Sequence, residues 1–354
     1  PPLSRVLPLY TRNWAIIVPF VVLVLVALSL SFLPYAHLEG GKFSFLPVFN
    51  LFVFISGLTL CLLRRVGRTP RPYVMPALAV LLGTMAADLV EPGLFSDQIF
   101  RAAGLAQNPN TASFYVVAMC AVCLRYGEVK VVDIALLAVC GIAVFATLSR
   151  AGIVLFAVLV VFYMCNGLSH LNAGRQIRVY FYVVVFSLIS VVAVSVLTSE
   201  SGVFEIKNAT TRLSELARVE SYVNPDDLRA RLIFEYVGLI QNSPILGYGT
   251  GFSFADEVGP HNIYLSQWVN NGLPGLLAYL ALLGAGYFVF SSRQCREGQA
   301  FILVVALYGV FSHNILDRRV FLLLFGMLCA QSCQQLARGH ERQYRPPGYL
   351  RPAY

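Results

Sequence analysis

The chain has 354 residues, of which 57% are hydrophobic and only 12% are charged, and its mean hydropathy is +0.69. This composition is far from that of a soluble domain and predicts a polytopic membrane protein. The formal net charge of +8 is not arranged as a basic stripe interleaved with aromatic residues, which argues against nucleic acid as a partner.

Apolar runs of about 20 residues, the length that crosses a hydrocarbon core of roughly 30 Å, recur along the chain. They predict an all-α protein with about ten transmembrane helices. The clearest runs lie at residues 14–33, 43–63, 73–90, 131–148, 151–168, 179–198, 273–290, 300–316 and 320–336, with a weaker run at 111–124.

This pattern divides the chain into four segments. Residues 1–198 hold the first seven helices, 199–261 form one large loop, 262–337 hold the last three helices, and 338–354 form a basic tail. Most of the 26 Lys and Arg residues fall in segments that share one side of the bilayer with both termini. The positive-inside rule therefore predicts cytoplasmic termini and an outside position for the large loop.

The sequence of the large loop predicts two short amphipathic helices within it. One spans about 211–222, with Arg212 and Arg218 on its polar side, where solvated side chains are the usual interpretation. The other follows an Asn-Pro-Asp start signal and carries Arg231, four residues before Glu235. Their apolar stripes predict a lid over an outward-facing cavity.

Three alternate glycines, at 247, 249 and 251, follow the second helix and lead toward His261. Glycines at this spacing permit tight turns and close backbone approach. An ordinary turn is favoured over an anion-binding nest, because the Lys-Ser/Thr that closes a phosphate-binding loop is absent.

His261 lies where the outside loop meets an apolar helix. The unperturbed pKa of an imidazole suits proton transfer near neutrality, so His261 is the candidate general base. The alternative is an ordinary interfacial histidine. His313, near the outer end of the run at 300–316, either lines the same cavity or is a hydrogen-bonded core residue.

Several short motifs on the predicted outside loops occur in a set order. In that order, they are Arg101-x-x-Gly104, Asn108-Pro109-Asn110, Ser149-Arg150-Ala151-Gly152, Arg231, Pro244-x-x-Gly247-x-Gly249, and His261-Asn262 followed after nine residues by Gly272-x-x-Gly275. Together they resemble the O-antigen ligase and O-antigen polymerase superfamily of bacterial inner-membrane glycosyltransferases, which are of the GT-C type. The resemblance covers about residues 100–290.

The resemblance implies a periplasm-facing, inverting transfer of a glycan from undecaprenyl diphosphate to an acceptor sugar hydroxyl, without a metal or cofactor. A ligase of lipopolysaccharide biosynthesis uses lipid A-core as acceptor, and a polymerase uses another polyprenyl-linked glycan. The motifs do not separate the two. A transporter of lipid-linked glycans is an alternative of another class, but it favours two related halves, which the sequence does not display.

The resemblance also implies roles for individual residues. Arginine forks match phosphate oxygens, so Arg150 and Arg231 are expected to hold the diphosphate, with Arg101 as a third candidate. Alternatively, Arg150 is a headgroup anchor and Arg231 only pairs with Glu235. Arg318 and Arg319 are interpreted as neutralising headgroups and Asp317. The possible supporting residues are Asn262, Gly272, Gly275, His313, Arg212 and Arg218.

Overall fold

The computed structural model describes residues 11, 13–31, 46–63, 70–99, 101–127, 129–168, 228–255 and 259–343. Within these ranges the secondary structure is helical, without strands, which confirms the all-α prediction. The α-helices are α1 (Trp14–Leu30), α2 (Leu46–Leu63), α3 (Arg71–Val90), α4 (Pro109–Cys123), α5 (Val131–Ala146), α6 (Arg150–Leu168), α7 (Leu228–Asn242), α8 (Phe252–Ala255), α9 (Ile263–Ser292), α10 (Arg296–Tyr308) and α11 (Arg319–Gln343).

Two of these helices, α3 and α9, are long and apolar enough to cross a membrane. Shorter apolar stretches lie at Trp14–Leu30, Leu46–Thr59, Pro109–Cys123, Val131–Ala146, Arg150–Asn166 and Arg319–Cys333. The helices therefore agree with a membrane protein. The predicted span 179–198 and the predicted helix 211–222, with Arg212 and Arg218, lie outside the described residues.

The interhelical turns form two ends of the bundle with different chemistry. At one end, the buried Asp133 carboxylate pairs with Arg125 at 3.2 Å and with Arg71 at 3.4 Å. At the other end, the turns after α3, α5 and α10 meet one another and the start of α9. There the Ala102 N–H donates to the Ala146 carbonyl at 3.1 Å, and the Ile263 N–H donates to the Gly309 carbonyl at 2.8 Å.

Helix α11 packs closely against α2. At Gly57 and Gly326, α2 and α11 approach backbone to backbone: a Cβ on Gly57 would lie 2.5 Å from the Leu323 carbonyl oxygen. Small residues permit this approach between membrane helices. The aromatic rings of Phe54, Phe301, Phe321 and Phe325 fill the adjoining core.

Two predicted span limits are wrong. The run predicted at 273–290 belongs to a helix that begins at Ile263 and bends at Gly272, where φ is +60°. The run predicted at 300–316 is helical only as far as Tyr308. Residues 309–318 form a turn and do not continue the helix. Within this turn, the side chains of Ser312 and Asn314 bond to each other at 2.9 Å.

Candidate functional site

A cavity of about 220 Å³ opens at the end of the bundle where these turns meet. Its lining includes Arg101, Arg150, Arg318, His261 and His313, and none of the described residues that line it is Asp or Glu. We call it the cationic cavity. The structure thus brings together four residues that the sequence singled out from segments far apart in the chain: Arg101, Arg150, His261 and His313.

The loop that carries Arg101 is organised by a buried carboxylate in the last turn of α3. Asp88 Oδ1 accepts from the N–H groups of Phe95 and Ser96, at 2.7 and 3.2 Å. Its Oδ2 accepts from Ala103 and Gly104, at 3.0 and 2.7 Å. Four backbone donors therefore converge on one side chain, which satisfies loop groups that would otherwise be buried without partners.

Arg101 is held across two loops. Its Nε donates to the Thr147 carbonyl at 2.7 Å, and its two terminal nitrogens donate to Gln98 Oε1 at 2.5 Å and Asn110 Oδ1 at 3.1 Å. Because Asn110 lies in the first turn of α4, this one guanidinium ties α4 to the turn before α6. Its charge is thereby fixed at the rim of the cationic cavity.

Arg150 begins α6, directly after a tight turn. Leu148 has a positive φ of 50°, and Ser149 caps the helix by accepting from the Gly152 N–H at 3.2 Å. A Cβ on Gly152 would lie 2.4 Å from Ser113 Cβ, so glycine lets α6 approach α4 closely. The Ser-Arg-Ala-Gly motif therefore aims one arginine into the cavity from a helix start.

His261 has a positive φ of 47°, which is uncommon for a residue other than glycine and is found at functional sites. Asn262 caps α9: its Oδ1 accepts from the N–H groups of Tyr264 and Leu265, at 2.9 and 3.2 Å. The imidazole is thereby placed at the mouth of the cavity by a helix cap that follows it.

The two histidines are neighbours. The ring centroids of His261 and His313 are 5.5 Å apart and the rings meet edge to face, with an interplanar angle of 73°. Burial, together with the charges of His261 and Arg318, lowers the pKa of His313 to about 4. His313 is therefore neutral near pH 7. A Cβ on Gly259 would lie 2.8 Å from His313 Nε2, so glycine lets the segment before His261 pack against this ring.

The glycine-rich loop before His261 docks on the bend of α9. The N–H groups of Tyr248 and Gly249 donate to the carbonyls of Val269 and Asn270, at 2.7 and 2.9 Å. A Cβ on Gly272 would lie 1.9 Å from the Ile245 carbonyl oxygen. These two N–H groups are directed at the helix and not at an anion, in agreement with an ordinary turn.

The second glycine of the Gly272-x-x-Gly275 motif also has a structural role. Gly275 lies one turn after the bend, where a Cβ would lie 2.2 Å from Asn271 Cβ. Gly272 and the Pro-x-x-Gly-x-Gly motif are therefore two sides of one contact that fixes the loop leading to His261, whereas Gly275 leaves room for the Asn271 side chain within α9.

Arg231 is not brought into the cationic cavity. Its side chain is exposed on α7, whose opposite face packs Tyr236 and Ile240 against Val269 of α9. Its role toward the diphosphate remains a prediction.

The sequence did not predict the roles of two residues of the site, Arg318 and Asp88. Arg318 was interpreted as a partner of headgroups, whereas it lines the cationic cavity and its buried Nε has no hydrogen-bond partner among the described residues. The available signal is a cluster of one Asp and two Arg, four to six residues after His313. Asp88 gave no signal, because one carboxylate near a predicted helix end is ordinary.

Comparison with known proteins identifies part of this chain. Residues 135–280, which include Arg150, Arg231 and His261, match a family model described as O-antigen ligase. No curated protein matches the chain. The match confirms, over residues 135–280, the resemblance drawn from the motifs.

Proposed function

We propose that this protein is a periplasm-facing, inverting glycosyltransferase that moves a glycan from undecaprenyl diphosphate to an acceptor sugar hydroxyl. The observation that supports it most is the cationic cavity, where three guanidiniums and two imidazoles meet and no carboxylate of the described part of the chain lines the cavity. Such a site suits a ligand that carries several negative charges and exposes a bond to be broken.

The arginines act on the leaving group. As the glycosidic bond breaks, negative charge grows on the diphosphate oxygen, and fixed donors stabilise that charge at no further cost of reorganisation. Arg101, Arg150 and Arg318 come from three separate segments of the chain, so the positive charge at the cavity does not depend on a single loop. We assign the diphosphate to these three side chains, with Arg231 as a predicted fourth ligand.

His261 acts on the acceptor. Its imidazole takes the proton of the attacking hydroxyl, the freed oxygen bonds to the anomeric carbon, and the bond to the diphosphate oxygen breaks on the opposite face. The electron pair leaves with the diphosphate, and the anomeric carbon is inverted. His313, which stays neutral beside His261, adds no competing positive charge at the base.

Within this class, we propose a ligase of lipopolysaccharide biosynthesis that uses lipid A-core as acceptor, in the bacterial inner membrane with cytoplasmic termini. A polymerase that joins polyprenyl-linked units uses the same base and the same arginines. The assignment to ligase therefore depends on the acceptor and not on the chemistry of the cationic cavity.

The test is transfer in proteoliposomes from a synthetic undecaprenyl-diphosphate oligosaccharide, in EDTA, with lipid A-core and the unextended polyprenyl-linked unit as competing acceptors. His261→Ala is expected to lower the rate by about 10²- to 10⁴-fold. His340→Ala, in the predicted tail, is the matched control. Product on lipid A-core supports the ligase, and longer polyprenyl-linked chains support the polymerase. The absence of His261-dependent product on either acceptor contradicts both and favours a transporter.

A further inference from the structure

A second cavity adjoins the cationic cavity, and His313 lines both. It has a volume of about 60 Å³ and lies between α1, α2, α9 and the turn after α10. One wall is apolar, with Phe20 and Leu23 of α1. The polar part of the lining consists of the side-chain amides of Asn50, Gln267 and Asn271 and the carboxylate of Asp317. We call it the amide cavity.

Part of the amide cavity is a closed hydrogen-bond network. The Thr250 hydroxyl contacts the Ala27 carbonyl and Asn271 Oδ1, and Asn271 Nδ2 donates to Gln267 Oε1 at 2.9 Å. These bonds tie the end of α1 to the bend of α9. The cavity is therefore a built feature with fixed walls, since its polar side chains hold one another in place.

The side-chain oxygen of Asn50, in the amide cavity, has no hydrogen-bond partner in the described part of the chain. Asn50 is 5% exposed, and its Nδ2 donates to Asp317 Oδ1 at 3.4 Å. Its Oδ1 has no hydrogen-bond partner among the described residues. A buried acceptor in that state is unfavourable, because it has lost its hydrogen bonds to water. A ligand that brings a hydroxyl donor to Asn50 Oδ1 removes this cost.

Charge separates the two cavities. The carboxylate of Asp317 lines the amide cavity, whereas the described residues that line the cationic cavity include no carboxylate. Burial raises the pKa of Asp317 to about 6, so the group is mostly ionised near pH 7. A diphosphate is repelled from the amide cavity, whereas neutral hydroxyls donate to Asn50 and Asp317.

We propose that the amide cavity is the acceptor subsite, which binds the hydroxyl-bearing edge of the sugar whose oxygen attacks. This inference rests on the proposed function. In an inverting displacement, the attacking oxygen and the leaving diphosphate lie on opposite sides of the anomeric carbon. With the diphosphate on the three arginines, the acceptor lies on the other side of the anomeric carbon, and the amide cavity meets the cationic cavity at His313.

The size of the amide cavity agrees with one sugar edge. One water molecule needs roughly 10–15 Å³ on the same measure, so about 60 Å³ takes a few hydroxyl-sized groups and not a chain of sugars. The apolar wall from α1 then contacts the C–H face of that sugar. We expect the rest of the acceptor to remain outside.

The experiment measures KM separately for donor and acceptor in the proteoliposome assay, with lipid A-core and the polyprenyl-linked unit each as acceptor probe. Asn50→Ala and Asp317→Asn are expected to raise the acceptor KM by about 3- to 30-fold, the effect of one lost hydrogen bond. The donor KM is expected to stay within about twofold of wild type. Asn166→Ala is the matched control, because Asn166 bonds to Phe162 within α6 and lines neither cavity.

Gln267→Leu tests a third polar group of the amide cavity, on α9, and is expected to raise the acceptor KM as well, so that the inference does not depend on one variant that folds poorly. A rise in donor KM with an unchanged acceptor KM overturns the acceptor subsite, as do variants that all behave like Asn166→Ala. In both cases wild-type transfer leaves the proposed function standing. Lack of transfer by the wild type on either acceptor overturns the proposed function itself.

Discussion

Adjacent arginines give a sharp test of the cationic cavity. Arg318 lines it, with its Nε buried and without a hydrogen-bond partner among the described residues. Arg319 is exposed and lies over the Phe49 ring, with its guanidinium carbon 5.3 Å from the ring centroid. The two residues have the same charge and differ by one position, so long-range electrostatics affects them almost equally. Only direct contact with the ligand separates them.

Arg318→Gln removes a charged donor from the diphosphate. A hydrogen bond to a charged group contributes about 1.5–3 kcal/mol, which corresponds to a roughly 10- to 150-fold loss in kcat/KM. Arg319→Gln removes only an exposed cation–π contact, worth about 0.5–1 kcal/mol to stability, and is expected to leave kcat/KM within about threefold.

Initial rates at varied donor concentration, in proteoliposomes with equal amounts of folded protein, measure both variants. Equal losses in Arg318→Gln and Arg319→Gln would mean that the arginines act through surface charge and not as ligands. Unchanged activity in Arg318→Gln would remove Arg318 from the site.

Three further predictions concern the groups that position the site. Gly272→Ala places a Cβ against the Ile245 carbonyl and is expected to abolish transfer and lower thermal stability. Gly284→Ala, in open space on the same helix, is expected to leave both unchanged. Equal activity and stability of the two variants would contradict the role of Gly272 in docking the glycine-rich loop on α9. Asp88→Asn leaves one acceptor oxygen for four N–H groups and is expected to lower melting temperature and activity more than Glu91→Gln does. Asp317→Asn removes a group whose pKa rises from 3.8 to about 6 on folding, and it is expected to raise stability at pH 7.5, as melting curves will measure.

The sign of the Asp317 effect follows from linkage. A carboxyl whose folded pKa is raised favours the folded state when protonated, so its cost is absent below about pH 4 and complete above pH 6. The full cost corresponds to about 3 kcal/mol. Asp317→Asn is therefore expected to stabilise the protein at pH 7.5 and to change little at pH 4. Equal stabilisation at both pH values would contradict burial of an ionised Asp317.

The sequence predicted the helical architecture and four of the five Arg and His side chains that line the cationic cavity, because apolar length and motif order carry that information. His261, Arg150 and Arg101 were identified from their motifs, and the structure brings them to one cavity. The hairpin-like turn at 309–318 was predicted as helix, since its apolar residues Phe311, Ile315 and Leu316 continue the run of α10. Their burial in the turn depends on contacts with distant helices, which local patterns do not encode.

The same limit applies to the residues that sequence reasoning did not find. Asn50 and Asp317 meet across 267 residues of chain, whereas the sequence relates Asp317 only to the neighbouring arginines. Asp88 acts on loop N–H groups up to 16 residues later. Such contacts are set by how the helices pack, so one sequence gives no local sign of them. Arg318 and Arg319 are equivalent as sequence, and only the direction of each side chain separates them.

Binding of lipid-linked phosphates tests the central claim most directly. In nanodiscs with EDTA, the wild-type protein is expected to bind undecaprenyl diphosphate at least tenfold more tightly than undecaprenyl monophosphate, because several arginines share the added charge. Arg150→Gln is expected to reduce that preference, and Arg319→Gln to retain it. Equal affinity of the wild type for both lipids, unchanged in Arg150→Gln, would contradict a diphosphate site in the cationic cavity.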